Sequence, residues 1–150
     1  MKASIKTILI FIAGAVVGAA ALDFAYDHVG RQVQEALQFS SLYQARQEAE
    51  AAYFQRSPEI AEWELTKLLP RLSVPAKEPF YPEDQRSLAL LLTHARLAKV
   101  QQAQGKRAEA DQNLAAARQL ATKLFPGYPA DGGDSVFAIL SRFDEAPKPK

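Results

Sequence analysis

Cysteine is absent from this chain of 150 residues. Its absence excludes disulfides, thiolate metal sites and cysteine nucleophiles together. Histidine is nearly absent too, because only His28 and His94 occur. Neither is followed three or four residues later by a histidine or a carboxylate, the spacing that would make a metal pair on a helix. We therefore predict no metal ion and no cofactor.

An excess of either charge is also lacking. The 18 basic and 17 acidic side chains leave a formal charge of +1. A nucleic-acid-binding domain needs a basic patch, so nucleic acid is not among the predicted partners. No glycine-rich loop follows a strand pattern, and the segment 131–134 lacks the alternating oxygen ligands and closing glutamate of a calcium loop. We predict that the chain is not an enzyme.

What the chain does have is one long apolar run near its start. Residues 7–22 carry no charge, which is 16 residues against the roughly 20 that span a bilayer as a helix. Ile5 on one side and Phe24 to Tyr26 on the other extend the run, and Lys6 can reach the interface with its ammonium group. We predict a transmembrane helix, a signal-anchor, over residues 5–26.

The charges on either side of this run predict its orientation. Lys2 and Lys6 precede it, whereas Asp23 and Asp27 follow it. Basic residues mark the cytoplasmic flank, so residues 1–4 are expected in the cytoplasm and the domain after the helix outside it. The predicted location is the bacterial inner membrane, single-pass, with a periplasmic C-terminal domain.

The same run also fits a cleavable secretory signal, with Ala19 to Ala21 as the cleavage site. Cleavage near Ala21 would leave a secreted or periplasmic protein. Retention is favoured because an apolar stripe at helical spacing continues past that point, through Leu22, Tyr26, Val29, Val33 and Leu37. Both alternatives place the rest of the chain outside the cytoplasm.

Small residues four apart occur within the predicted membrane helix. This spacing clears one face so that a second helix can approach closely in lipid. The predicted packing residues are Gly14, Gly18, Ala15 and Ala19. They indicate lateral association with another membrane helix.

The rest of the chain is rich in good helix formers and has no alternating strand pattern. It predicts an all-α domain over residues 27–143, of about four helices plus a short C-terminal helix, followed by a disordered tail over 144–150. One helix starts at Ser57-Pro58-Glu59, and Pro70 is expected to loosen or end it. The helix from Glu83 to about Gln104 is apolar over a wide arc, so we expect it to be central.

An internal similarity relates the two halves of this domain. A shift of 49 residues aligns Ala49 with Ala98, Ala61 with Ala110, and Leu65 with Leu114. Small residues at such positions let antiparallel helices approach closely, and the apolar positions fill the contact with the next pair. The predicted repeat-packing residues are Ala49, Ala61, Leu65, Ala98, Ala110, Leu114 and Ala117.

The segment from Leu97 to Ala117, with Gly105 at its turn, resembles the helix–turn–helix unit of tetratricopeptide (TPR) proteins. Leu97 and Ala98 stand at the paired large and small positions of the first helix. The resemblance implies a degenerate TPR-like fold of helical hairpins, and it implies that the domain binds a protein or a peptide.

Trp63 lies on the face of its helix opposite the apolar positions. Aromatic residues are enriched among interface hot spots, so Trp63 is a predicted partner-binding residue. The other two predicted partner-binding residues are Tyr53, on the apolar stripe of its helix, and His94, for which packing between helices is the favoured alternative. For Trp63, packing against the proline-bearing connector 73–82, or against Phe80 and Tyr81 within it, is slightly favoured over partner binding.

Taken together, these features predict a membrane-anchored TPR-like scaffold that tethers a partner protein at the outer, periplasmic face of the membrane. The predicted partners are a protein and the lipid bilayer. The alternative is an accessory or structural subunit of a larger membrane complex, held by helix packing in the bilayer.

Overall fold

The computed structural model describes residues 29–30, 33–34, 36–37, 39–74, 82–127 and 133–145. The chain divides into two compact units, Met1–Gln38 and Phe39–Lys150. The described residues of the first unit are helical and exposed. The second unit carries the packed helices described below.

The second unit contains five helices in its described part. The first, α1, covers residues 39–55. It is followed by α2 (Pro58–Ser73), α3 (Glu83–Ala103), α4 (Arg107–Leu124) and α5 (Gly133–Asp144). No described residue lies in a strand. The helical character that the composition predicts is therefore confirmed.

The predicted fold class also contained a transmembrane helix, and this part is wrong for the described chain. None of the helices over the described ranges is both long and apolar enough to cross a bilayer. The physical reason is that α5 has only 12 residues, whereas α2, α3 and α4 carry charged side chains along their lengths. Residues 5–26, including Gly14, Ala15, Gly18 and Ala19, lie outside the described residues.

The start of α2 follows the sequence signal, but its end does not. Ser57 has an extended backbone and Pro58 occupies the first turn. The helix then runs through Pro70 to Ser73, although we expected Pro70 to loosen or end it. Pro70 lies on the exposed face, where water can satisfy the carbonyl that loses its partner. Leu72, fully buried, holds the last turn in place.

A tight turn joins α3 to α4. Gly105 has φ +77°, a left-handed conformation that side chains with a Cβ disfavour. The Lys106 amide donates to the carbonyl of Gln101 at 2.9 Å, which satisfies one of the last carbonyls of α3. The turn reverses the chain, so that α4 packs antiparallel to α3.

The central position expected for α3 is observed, because apolar clusters lie on two of its sides. One cluster joins α3 to α1 and α2, and the other joins α3 to α4 and α5. Of the α3 residues, Ala89, Leu97 and Val100 belong to the first cluster, and Leu91, Leu92, Ala95 and Ala98 to the second. A helix covered on two sides must be apolar over a wide arc.

The seven predicted repeat-packing residues are all buried: Ala49, Ala61, Leu65, Ala98, Ala110, Leu114 and Ala117. The helix pairs nevertheless differ. The α1–α2 connection is Arg56 and Ser57 with Pro58 opening α2, whereas α3 and α4 are joined by a glycine turn. The helices give no evidence of a repeated TPR unit, so the resemblance to that family stays a prediction.

Candidate functional site

A buried arginine lies at the junction of three helices. Arg96 is on α3, only 6 % exposed, in a stretch where all its neighbours from Leu91 to Ala98 except His94 are buried. A charge can occupy such a position only when it is paired and hydrogen-bonded. The structure provides both kinds of partner.

The guanidinium group of Arg96 binds carboxylates from two other helices. Its Nη2 donates to Asp144 Oδ1 of α5 at 2.8 Å, and its Nε donates to the same oxygen at 3.2 Å. Its Nη1 donates to Glu50 Oε1 of α1 at 3.1 Å. One side chain of α3 therefore connects α1 and α5 by charge-assisted hydrogen bonds.

Two aromatic rings of α1 complete this group. The guanidinium carbon lies 5.2 Å from the ring centre of Tyr53 and 5.4 Å from that of Phe54. The hydroxyl of Tyr53 donates to Asp144 Oδ2 at 3.1 Å. We refer to Arg96, Asp144, Glu50 and Tyr53 as the Arg96 cluster. Both carboxylate oxygens of Asp144 accept hydrogen bonds within the Arg96 cluster.

The environment of Tyr53 raises the pKa of its phenol group. Burial is the largest cause, followed by the negative charge of Asp144 and the hydrogen bond to it, and together they raise the pKa of Tyr53 from 10.0 to about 12. The phenol is therefore held in its protonated form, in which it donates to Asp144.

This shift predicts a pH dependence of stability. A proton bound more tightly in the folded state contributes stability that is fully present below pH 10 and is lost as the pH rises to about 12. Replacing Tyr53 with phenylalanine should lower the free energy of unfolding by about 1 kcal/mol at pH 7. The difference between the two proteins should then shrink from pH 10 to 12, as measured by urea unfolding across this range.

Tyr43→Phe is the matched control for this experiment. Tyr43 lies on the same helix and is 56 % exposed. Its replacement should leave stability within about 0.5 kcal/mol of the parent. A gap between the parent and Tyr53→Phe that stays constant up to pH 12 would contradict the assignment.

Next to the Arg96 cluster lies an open cleft of about 450 Å³. Its walls come from the end of α1, the start of α2, the last turns of α3 and the end of α5. We call it the three-helix cleft, after α1, α3 and α5, the helices that the Arg96 cluster connects, although α2 also lines it. Its lining residues are Tyr53, Phe54, Arg56, Pro58, Ala61, Lys99, Val100, Ala103, Ser141, Asp144 and Glu145.

The lining of the three-helix cleft combines apolar surface with charge. The rings of Tyr53 and Phe54 meet edge to face, with centroids 4.9 Å apart. Arg56 and Lys99 are exposed, and the Lys99 ammonium lies 6.0 Å from the Tyr53 ring centre. Within the described residues, neither cation is within ion-pair distance of a carboxylate. The cleft can therefore bind an apolar group of a ligand next to positively charged side chains.

His94 belongs to a different group of polar residues. Its Nδ1 donates to Asn113 Oδ1 at 2.8 Å, because the amide nitrogen of Asn113 itself donates to Gln101 Oε1 at 2.9 Å. Gln101 in turn donates to Glu62 of α2 at 3.1 Å. The hydrogen bond from the Lys106 ammonium is the largest of the causes that hold the pKa of Glu62 below its ordinary value. This network fixes the α3–α4 turn against α2.

Trp63 lies on the exposed face of α2, and most of the connector 73–82 lies outside the described residues. The side chain is 59 % exposed on α2, and the Lys67 ammonium lies 3.8 Å from its ring centre. Ile60, also exposed, is one turn away. Trp63 does not line the three-helix cleft, so it forms a separate surface.

Of the three predicted partner-binding residues, the structure places one, Tyr53, in the cleft. His94 and Trp63 lie elsewhere, and the three do not form one site. No sequence pattern pointed to Arg96, Asp144, Lys99 or Arg56 as functional residues. Arg96 could have been noticed in the sequence, because it is a charged residue within the broad apolar arc of α3.

The described residues contain no group of three histidine, aspartate or glutamate side chains that could hold a metal ion. The side chains that line the three-helix cleft, two aromatic rings beside two exposed cations, can contact a ligand through apolar surface and charge. No protein-family model matches this chain, and neither a curated protein nor a solved structure does.

Proposed function

We propose that this chain is a protein-interaction scaffold, and that its second unit binds a segment of a partner protein in the three-helix cleft. The observation that carries the proposal is the combination of two aromatic rings, Tyr53 and Phe54, with two cations, Arg56 and Lys99, that have no ion-pair partner among the described residues. Tyrosine and arginine are enriched among the residues that dominate interface energies.

The shape of the cleft favours a peptide over a small molecule. Sites for small molecules enclose most of the ligand surface. The three-helix cleft is instead largely open to solvent, with a volume of about 450 Å³. An extended segment of a protein can lie in such a cleft and continue beyond it at both ends.

The Arg96 cluster gives the cleft a rigid wall. Tyr53 and Asp144 both line the cleft and are fixed by hydrogen bonds to each other and to Arg96. Binding residues that are held in place before binding lose less conformational freedom on association. This arrangement supports recognition by a preformed surface.

Tethering of the partner at a membrane does not depend on the cleft. It depends on residues 5–26, which lie outside the described residues. The periplasmic location and the alternative of an accessory subunit in a membrane complex therefore stay predictions from the sequence.

Site-specific photo-crosslinking in living cells tests the proposed function. A benzophenone amino acid would replace Ala103, an exposed residue of the cleft, in the full chain. The control position is Gln119, exposed on α4, which contributes nothing to the cleft lining. We expect a discrete protein adduct from position 103 and none from position 119.

A third position, Trp63, distinguishes the cleft from the exposed surface of α2. Adducts that form from position 63 but not from 103 would move the partner to α2 and overturn the assignment to the cleft. Equal adducts from positions 103 and 119 would show nonspecific contact and would also overturn it.

A further inference from the structure

The charges in the three-helix cleft differ in whether they are available to a ligand. Asp144 is not available, because its side chain is 12 % exposed and both of its oxygens already accept hydrogen bonds. Arg96 is not available either, since it is buried and its donors are directed at Asp144 and Glu50. Glu50 also pairs with Arg46, whose Nε lies 3.8 Å from its Oε1. Two guanidinium groups therefore match the two carboxylates, and together they contribute little net charge toward the open side of the cleft.

Three lining charges remain, and two of them are positive. Arg56 and Lys99 are exposed cations, whereas Glu145 is the one exposed carboxylate among the lining residues. The side of the cleft that meets solvent thus carries a net positive charge. Complementary charge on the partner steers association and fixes the register of binding.

The apolar part of the cleft lies beside these cations. Pro58, Ala61, Val100 and Ala103 are small or medium-sized, so they leave room next to the rings of Tyr53 and Phe54. A bound side chain that fills this space must be apolar or aromatic. Its neighbours in the bound segment would then lie within reach of Arg56 and Lys99.

We infer that the partner segment is an acidic peptide, in which an apolar or aromatic side chain is flanked by aspartate or glutamate. The inference rests on the proposed function and specifies the chemistry of the ligand. A single-stranded nucleic acid also combines rings with negative charge. A nucleic acid needs a positive groove that follows its backbone. Two cations without ion-pair partners among the described residues, in a chain of net charge +1, do not provide one.

Selection from a phage library of short random peptides tests this inference on the purified full chain. We expect enriched peptides in which carboxylates flank an apolar residue. Fluorescence anisotropy would then measure the affinity of one enriched peptide, a version with lysine in place of its acidic residues, and a single-stranded oligothymidine.

Variants that reverse the charge of the two cleft cations test whether the ligand is acidic. Lys99→Glu and Arg56→Glu should each weaken binding of the acidic peptide about threefold to tenfold and strengthen binding of the lysine version. Lys67→Glu is the matched control, because Lys67 is an exposed lysine that lies outside the cleft, and it should leave both affinities unchanged. Binding of the acidic peptide should also weaken as salt is added.

The outcomes separate the inference from the proposed function. Enriched peptides that are neutral or basic, and whose binding Phe54→Ala weakens, would overturn the acidic ligand and retain the peptide-binding cleft. Stronger binding of oligothymidine than of any peptide would overturn both. No enrichment, or enrichment that no cleft variant changes, would also overturn both.

Discussion

Replacing Arg96 with methionine should lower the free energy of unfolding by about 3–5 kcal/mol, the range observed when one partner of a buried ion pair is removed. Methionine preserves much of the side-chain volume, so the decrease in the free energy of unfolding reflects the lost charge and hydrogen bonds. The variant would leave Asp144, 12 % exposed, without its cationic partner. Urea unfolding at pH 7, followed by circular dichroism, measures the change.

Arg46→Met is the matched control, because Arg46 pairs with Glu50, which is also a partner of Arg96. The Arg46 Nε lies 3.8 Å from Glu50 Oε1, and its side chain is 40 % exposed. Exposed pairs of this kind contribute at most about 1 kcal/mol. Equal losses from the two substitutions would show that the Arg96 cluster has no special role in stability.

A double variant separates the cost of the unpaired carboxylate from the loss of the pair itself. Adding Asp144→Leu to Arg96→Met removes the charge that the single substitution leaves unpaired. The double variant should therefore recover part of the lost stability. Stability below that of Arg96→Met would instead show that Asp144 is needed for other contacts, its bond from Tyr53 among them.

Truncating Leu140 to alanine is the second change with a large expected effect. Leu140 is on α5, 1 % exposed, within the cluster that α5 shares with α3 and α4. Leucine-to-alanine changes in cores cost about 2–5 kcal/mol, through lost burial and the cavity that remains. Urea unfolding should show this loss, and hydrogen exchange should show faster opening of α5.

Phe143→Ala on the same helix is the control. Phe143 is 41 % exposed, so its truncation removes little buried surface and should cost less than about 1 kcal/mol. A similar loss from the two variants would mean that α5 is not anchored by its buried face. Because α5 also carries Asp144 and Ser141 into the cleft, Leu140→Ala should weaken peptide binding as well.

The helices and their buried faces follow from local properties of the chain. Ser57-Pro58 marks the start of α2, Gly105 ends α3, and the wide apolar arc of α3 indicates a helix covered on two sides. These signals concern residues that are near in sequence, so propensity and periodicity suffice to detect them. The continuation of α2 through Pro70 is an exception, since the exposure of that turn depends on tertiary packing.

The three-helix cleft has no comparable signal. Its residues come from four helices, and Tyr53 and Asp144 are 91 positions apart when they form a hydrogen bond. Periodicity identifies the face of a helix on which a residue lies, but not which other helix that face meets. Trp63 shows the consequence. Its exposure was predictable from its face of α2, whereas its separation from Tyr53 and His94 was not.

The sequence alone determined the absence of thiol chemistry, the helical class of the described chain and the burial of the seven repeat-packing positions, because composition and local spacing carry that information. It did not determine the partners of Arg96. Only the tertiary structure decided that Arg96 pairs with Asp144 and Glu50, which leaves Arg56 and Lys99 as the exposed cations of the cleft. The reason is physical: the pairing of a charge depends on distances in space, and those are set by how the helices pack.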